Sequence, residues 1–442
     1  MEAMNHTISS SLGTAFEKIN RVTDTLGIPQ SAFAGLTNFT WKSKKGAAAI
    51  LLGYLLLVRA LRFRRENAAK RKFKFTDRAS LARMTTAEAQ LILKYLATLE
   101  MPQLQFLSLQ FGLFKTYGVE SISKLLVATR NLADPKNSPK RYEDTAVIIN
   151  EFMAWDPSAE RTVKAIARMN FLHSKYIASG QISNDDLLYT LSVFVIEPAR
   201  FAERYDWRPF NDMEYCALGV FWKSIGDAMG INYHGSLPGA ENGWKDGIQF
   251  ADELTAWAKA YEVAQMRPNS TSPKPAHALL PIITYWIPSF AKPFVTECVL
   301  SLINTRILEA FKLPEPSITA VAVTHGALVA RRFVIRHLML PRIFEIKILG
   351  DQDPSTGRYL LPQSHGNWPF YVKPTLWNRW GPVALAIRLY GGYVPGNKPT
   401  EFKPQGYTFE DVGPVNRANQ GKEEMEADLK RLRASKRSGC PF

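Results

Sequence analysis

The stretch from Arg168 to Phe210, RMNFLHSKYIASGQISNDDLLYTLSVFVIEPARFAERYDWRPF, decides how the chain is read. Its first ten residues close an apolar helical run that begins at Ser158. At helical spacing His173 shares a face with Ile166, Met169, Tyr176 and Ile177, an apolar stripe with one phenol. Ser183 stands three residues before Asp186, a capping-box variant that starts a second helix over Asn184 to Tyr205. Glu197-Pro198 interrupts that helix, where proline removes a backbone bond and bends the axis. Glu197 can reach Arg200 one turn on. A structural ion pair is the plainer reading of Glu197, and a proton-handling carboxylate beside a pocket is the sharper one.

The same helical period runs outward from Met84 to Pro341, with breakers collected between the apolar runs. It predicts helices over Thr85 to Leu99, Pro102 to Tyr117, Glu120 to Leu132, Arg141 to Ala154, Ser158 to Ile177, Asn184 to Tyr205, Asp212 to Met229, Lys245 to Met266, Ile282 to Phe311 and Ile318 to Leu340. Asp156-Pro157 supplies an N-cap and a first-turn proline. Beyond Pro341 the chain is irregular and aromatic through Pro404, and it ends in a charged stretch from Gly421 to Arg437. The fold class is all-α.

With 55 Lys plus Arg against 40 Asp plus Glu in 442 residues and 46% hydrophobic content, the chain is neither a disordered polyelectrolyte nor a polytopic membrane protein. The net charge of +15 invites a nucleic-acid partner, but the excess is local. Between Lys42 and Arg78 twelve basic residues face two acids, Glu66 and Asp77. Embedded there is Gly46 to Val58, GAAAILLGYLLLV, which extends to about eighteen residues if Arg59 and Arg62 snorkel. A buried core helix or an interfacial helix would also fit so short a run. Its flanks favour a span: an arginine at mid-membrane costs roughly 2.5 to 3.5 kcal/mol, so Arg59 belongs at an end. The positive-inside rule then puts the following domain in the cytosol, with the basic cluster on anionic headgroups rather than nucleic acid. The sequons at Asn5 and Asn38 would lie on the lumenal side and could carry glycans.

Common enzyme motifs are silent: there is no Walker loop, GxGxxG, HExxH or GxSxG. Cys216, Cys298 and Cys440 are too few and too scattered for a disulfide framework or a cysteine metal cage. What remains is histidine within apolar helices. His173 reads as a hydrogen-bonded core residue or as a metal ligand. His325, beside Gly326 and near Ala322 and Ala330, has small neighbours that would admit a flat ring close to the helix, and close helix packing is the plainer reading. Trp207-Arg208, Trp222 and Tyr215 suit packing as well as substrate contact. The Arg331-Arg332 and Arg336-His337 pairs suit a solvated or lipid-facing surface, with haem propionates as the sharper alternative.

Three stretches carry a resemblance: RYEDTAVIINEF from Arg141, the segment from Arg168 quoted above, and ALGVFWKSIGDAMGI from Ala217. The chain resembles the family of ER-bound fungal oxygenases typified by the mycophenolic acid pathway enzyme, related to the latex-clearing rubber oxygenases. The resemblance implies a haem b cofactor whose iron is held by His173, with Arg168 in the arginine position of the family's R-M-x-H pattern. It also places Arg141, Asp144 and Thr145 on the R-x-x-K-T positions over the opposite face of the haem. Asp144 stands where the rubber enzymes have lysine. Arg141 and Thr145, four apart, would point together at bound dioxygen, and Asp144 would orient Arg141 by an i, i+3 pair or favour the helix N-terminus.

The expected organisation is a lumenal segment over 1–45, a transmembrane anchor over 46–64, a helical oxygenase domain over 65–410 with a globin-like haem-binding core, and a charged tail over 411–442. The expected activity is dioxygen-dependent cleavage or oxidation of a C=C bond in a lipophilic, isoprenoid-like small molecule, at the endoplasmic reticulum membrane through one N-terminal helix. The alternatives are a haem-free, membrane-anchored lipid-binding or scaffolding protein and a nonhaem metal enzyme.

Overall fold

The computed structural model describes residues 44–285, 287–362, 368–435 and 437–442. Both sequons lie outside the described residues. The chain divides into two units, Met1–Arg62 and Phe63–Phe442. In the first, helix α1 (Lys44–Arg62) carries the apolar run and ends on Arg59 and Arg62, with Leu51, Leu52, Leu56 and Leu57 all exposed.

The second unit is all-helical, and its β-pairing among the described residues amounts to three isolated bridges. Its first segment is α2 (Arg64–Phe73), then α3 (Thr86–Tyr95), which starts on a capping box between Thr85 and Glu88. A π-helical turn, Leu96–Glu100, joins α3 to α4 (Pro102–Thr116). Next come α5 (Glu120–Thr129), α6 (Ser138–Ala154), α7 (Glu160–Ala178), α8 (Asn184–Tyr205) and α9 (Asp212–Met229). The capping box between Ser183 and Asp186 is present and fixes the start of α8.

α8 packs against α4, α9 and α10 (Gly247–Gln265), while α9 packs against α3 and α10. Fourteen of the eighteen residues of α9 are buried. The close approach of α9 to α10 requires glycine: a Cβ on Gly219 would lie 1.9 Å from the carbonyl oxygen of Gly247.

The expected helix over Ile282 to Phe311 is three pieces: α11 (Pro273–Ile283), α12 (Lys292–Leu300) and α13 (Thr305–Ala310). Pro288 denies the chain an amide donor between the first two pieces, Pro293 sits in the first turn of α12 where a proline starts a helix, and the Asn304 side chain caps the third by accepting from the Ile307 amide. α14 (Ile318–His337) follows. It is a second helix long and apolar enough to cross a membrane, besides the N-terminal one, where the sequence suggested one.

Further on, α15 (Pro382–Leu389) and α16 (Lys422–Ala434) are formed. The charged C-terminal stretch is therefore no loose appendage. α16 packs on α7 and buries Met425, Leu429 and Leu432.

Candidate functional site

α6 organises the site because its faces have different partners. Tyr142, Thr145, Ala146, Ile149 and Met153 recur at three- and four-residue steps and line a cavity of about 750 Å3. Asp144 and Glu151, seven apart, lie on another side and are fully buried. Asp144 accepts from Tyr371 Oη at 2.6 Å and from Lys140 Nζ at 2.5 Å. Glu151 accepts from Tyr407 Oη and from Arg161, whose Nη2 is 2.5 Å away. Each buried carboxylate thus has a cation and a phenol, the arrangement that makes burial of charge tolerable. These pairs fasten the C-terminal segments to α6.

The cavity is walled by α4 through Phe106, Leu109 and Leu113, by α5 through Ile122 and Leu126, by the π-turn through Ala97 and Thr98, and by the segment from Glu345 to Leu349. Its volume falls within the roughly 300 to 1,000 Å3 of small-molecule and cofactor sites, and most of its surface is apolar, with charged and amide side chains such as Lys94, Gln103, Glu345 and Asp351 also in the lining. π-turns recur at functional sites because the inserted residue re-aims the side chains around it. Arg141, Glu143 and Thr145 are polar side chains in that wall. Arg141 Nη1 donates to Thr145 Oγ1 at 2.5 Å, and the threonine hydroxyl donates to the Arg141 carbonyl at 2.8 Å. The hydroxyl thereby sets the direction of the guanidinium.

His173 stands near the C-terminus of α7, which packs on α6. Its Nδ1 is buried and has no hydrogen-bond partner among the described residues. Burial, and then the positive charge of Arg141, pull its pKa from 6.5 to about 4. The ring is neutral at physiological pH and keeps a lone pair. His173 and Arg141 are therefore electrostatic neighbours, although His173 is not among the residues lining the cavity.

The remaining sequence candidates fall elsewhere. Arg168 is fully buried, and its fork is filled by backbone carbonyls: Nε donates to Val412, Nη1 to Gln420 and Nη2 to Arg417, each at 2.8 to 2.9 Å. Burial lowers its pKa. It fastens the chain ahead of α16 onto α7. Asp144 pairs with Lys140 instead of orienting Arg141, and Lys140 also donates to the Gly413 carbonyl. Glu197 makes the expected ion pair with Arg200 at 2.5 Å and a second with Lys115 at 3.2 Å. Trp207 and Trp222 are core residues. Gly326 faces open space, while the neighbouring His325 ring lies 6.0 Å from the ring of Tyr205 in α8. Arg331 and Arg332 turn back to the carbonyls of Tyr205 and Glu203 rather than outward.

Glu143 and the wall of α4 escaped the sequence reading. A carboxylate within a polar triplet carries no signal of its own, and the apolar stripe of α4 reads the same whether it faces a core or a cavity. Among the described residues no three His, Cys, Asp or Glu side chains converge as a protein-only metal cage would require. A neutral, partly buried imidazole whose Nδ1 is buried and unpartnered among the described residues is the kind of donor by which a haem iron takes one protein ligand, although His173 itself does not line the cavity.

No family model matches the chain. It is 40% identical over 393 residues to "ER-bound oxygenase mpaB'" of Penicillium brevicompactum, covering 89% of this chain and 93% of that protein. It is 39% identical over 364 residues to "ER-bound oxygenase mpaB" of the same species, covering 82% and 86%. The mpaB protein of Penicillium roqueforti (strain FM164) is 40% identical over 264 residues, covering 60% and 88%. At that identity over nearly the whole of both chains, this protein belongs to the mpaB family of ER-bound oxygenases.

Proposed function

We propose that the chain is a haem-dependent oxygenase that uses dioxygen to cleave or oxidise a C=C bond in a lipophilic, prenylated small molecule. We further propose that α1 anchors it in the endoplasmic reticulum membrane as a single N-terminal span, with the second unit in the cytosol. The observation that carries this reading is His173: neutral, unpartnered at Nδ1, and coupled to an arginine in the wall of a large apolar cavity.

His173 would hold the iron of haem b, and the bound group would supply the redox chemistry with dioxygen that no side chain here can supply. Arg141, aimed by Thr145, provides a fixed positive charge where negative charge develops on oxygen. The apolar walls of α4 and α5 exclude water and accept a hydrocarbon chain. Asp144 and Arg168 act indirectly, by holding α6 and α7 in place.

Detergent-purified protein is expected to show a Soret band that His173→Ala removes and His325→Ala leaves intact. The opposite pattern would move the ligand, and colourless wild-type protein supplied with haem would leave the lipid-binding alternative, whose apolar cavity needs no cofactor. Metal without a Soret band would point to a nonhaem enzyme. Arg141→Ala should retain haem and lose oxygen-dependent turnover by about 100- to 1,000-fold, the range for a lost electrostatic donor. For topology, an engineered glycan acceptor before Gly46 should be modified and one after Lys74 should not.

A further inference from the structure

α14 is built inside out. Of its twenty residues Ala320 alone is buried, and its outward positions are Ile318, Val321, Val323, Val329, Phe333 and Val334, with Ile318 89% and Val329 66% exposed. Its two mid-helix charges face the protein instead. Arg331 donates to the Tyr205 carbonyl and lies 3.8 Å from Asp206, and Arg332 donates to the Glu203 carbonyl. A surface helix in water does the reverse, turning its arginines out and its valines in. Past the helix, Ile343 and Phe344 are 82% and 84% exposed.

We infer that the outward face of α14 and the segment to Phe344 rest in a lipid bilayer, in the plane of the headgroup boundary. Both ends of the helix are tied to one helical body. Ser317 at its start donates to Glu297 of α12, and beyond its end the Ile346 amide donates to the carbonyl of Thr98 in the π-turn. A helix held that way lies along the body rather than crossing the membrane alone. The exposed cations Arg336 and Arg342 are interspersed with the exposed apolar residues Met339, Ile343 and Phe344, a mixture that suits the boundary with anionic headgroups. Phe63 directly follows the apolar helix α1, and a bilayer comes within reach through the anchoring of α1 proposed above.

The placement has a consequence for the cavity. Arg331 Nη2 is 3.5 Å from Oε1 of Gln103, a cavity residue, and the chain leaving Phe344 becomes the cavity wall at Glu345 to Leu349. Phe106, also of the wall, is 52% exposed. Phe106 and Ile346 both line the cavity and are exposed, so on this placement the cavity opens toward the lipid-facing surface and a lipophilic molecule passes into it from the bilayer without crossing water. This last step rests on the cavity's being the substrate site; the docking of α14 does not.

The test uses the full chain with Cys298→Ser and Cys440→Ser, in vesicles of phosphatidylcholine and phosphatidylserine, carrying one environment-sensitive fluorophore at Val329→Cys, Phe106→Cys or Glu424→Cys. The labels at 329 and 106 should be blue-shifted and quenched several-fold by lipids bearing a doxyl group, while the label at 424 on α16 stays water-like. A water-like label at 329 overturns the docking. A blue shift at 329 without lipid quenching, growing with the protein-to-lipid ratio, assigns the face to a second copy and also overturns it. Quenching at 329 but not at 106 overturns the lipid-side mouth alone. None of these readouts depends on haem, so a failure here is distinct from a failure of the Soret assay.

Discussion

α9 and α14 are both apolar helices of similar length, and their environments are opposite: fourteen of eighteen residues of α9 are buried, against one of twenty in α14. Apolarity records that a segment avoids water and says nothing about what replaces it. In α9 the replacement is protein, and the signs are specific to close packing: Gly219 against Gly247, and Phe194 stacked 4.4 Å from Trp222. In α14 such signs are sparse: one ring pair, His325 with Tyr205 at 6.0 Å, faces the body, and a glycine in mid-helix meets nothing within 4 Å.

The glycines give the largest contrast. Gly219→Ala drives a methyl group into the backbone of α10, where no side chain can swing aside, and should cost about 3 kcal/mol or more, enough to lower the thermal midpoint sharply or prevent folding. Gly326→Ala meets open space and gains helix propensity, so it should raise stability by up to about 1 kcal/mol. Thermal denaturation in one detergent measures both. Equal losses would mean that α14 is packed against something in the detergent-solubilised protein.

Phenylalanines repeat the comparison without backbone effects. Phe221→Ala in α9 empties a core position and should cost about 3 kcal/mol, while Phe333→Ala in α14 should change stability in detergent by less than about 0.5 kcal/mol.

How much of this was legible follows from the same contrast. α8 and α9 were readable to the residue, because Ser183 and Asn211 cap their starts and Asp206 and Gly230 lie just past their ends. Ile282 to Phe311 misled, because its apolar spacing survives across Pro288 and the Asn304 cap, where the helix ends and restarts. His173 was legible as a candidate from its apolar face. The pairing of Asp144 with Tyr371 and the carbonyl cage around Arg168 were not, since their partners lie 227 and more than 240 residues away and leave no local pattern. The membrane-like face of α14 was half legible: Arg331 and Arg332 were marked as surface residues, but only the fold turns them inward.

The desolvation that separates α9 from α14 also acts, in part, on a single partly buried ring. His173 has a folded-state pKa of about 4 against 6.5 when unfolded, so between those values the unfolded chain binds a proton that the folded chain does not. Stability of haem-free protein should therefore fall as pH drops from about 6.5 toward 4, with a contribution of up to roughly 3 kcal/mol from this ring. His173→Gln should flatten that part of the profile in urea denaturation. An unchanged slope would show that the ring is solvated or already charged.

The smallest effect separates the two sides of α6. Tyr371→Phe removes one hydrogen bond to Asp144 but leaves the Lys140 ammonium in place, so the carboxylate keeps a partner. The cost should be about 1 kcal/mol, the net worth of a single hydrogen bond, with haem content and turnover preserved. Thr145→Val on the cavity side should do the opposite: stability moves little, while turnover falls because Arg141 loses the acceptor that aims it. If Tyr371→Phe instead lowers turnover at full haem loading, the Asp144 side of the helix takes part in the reaction, and α6 does not divide into a fastening face and a working face.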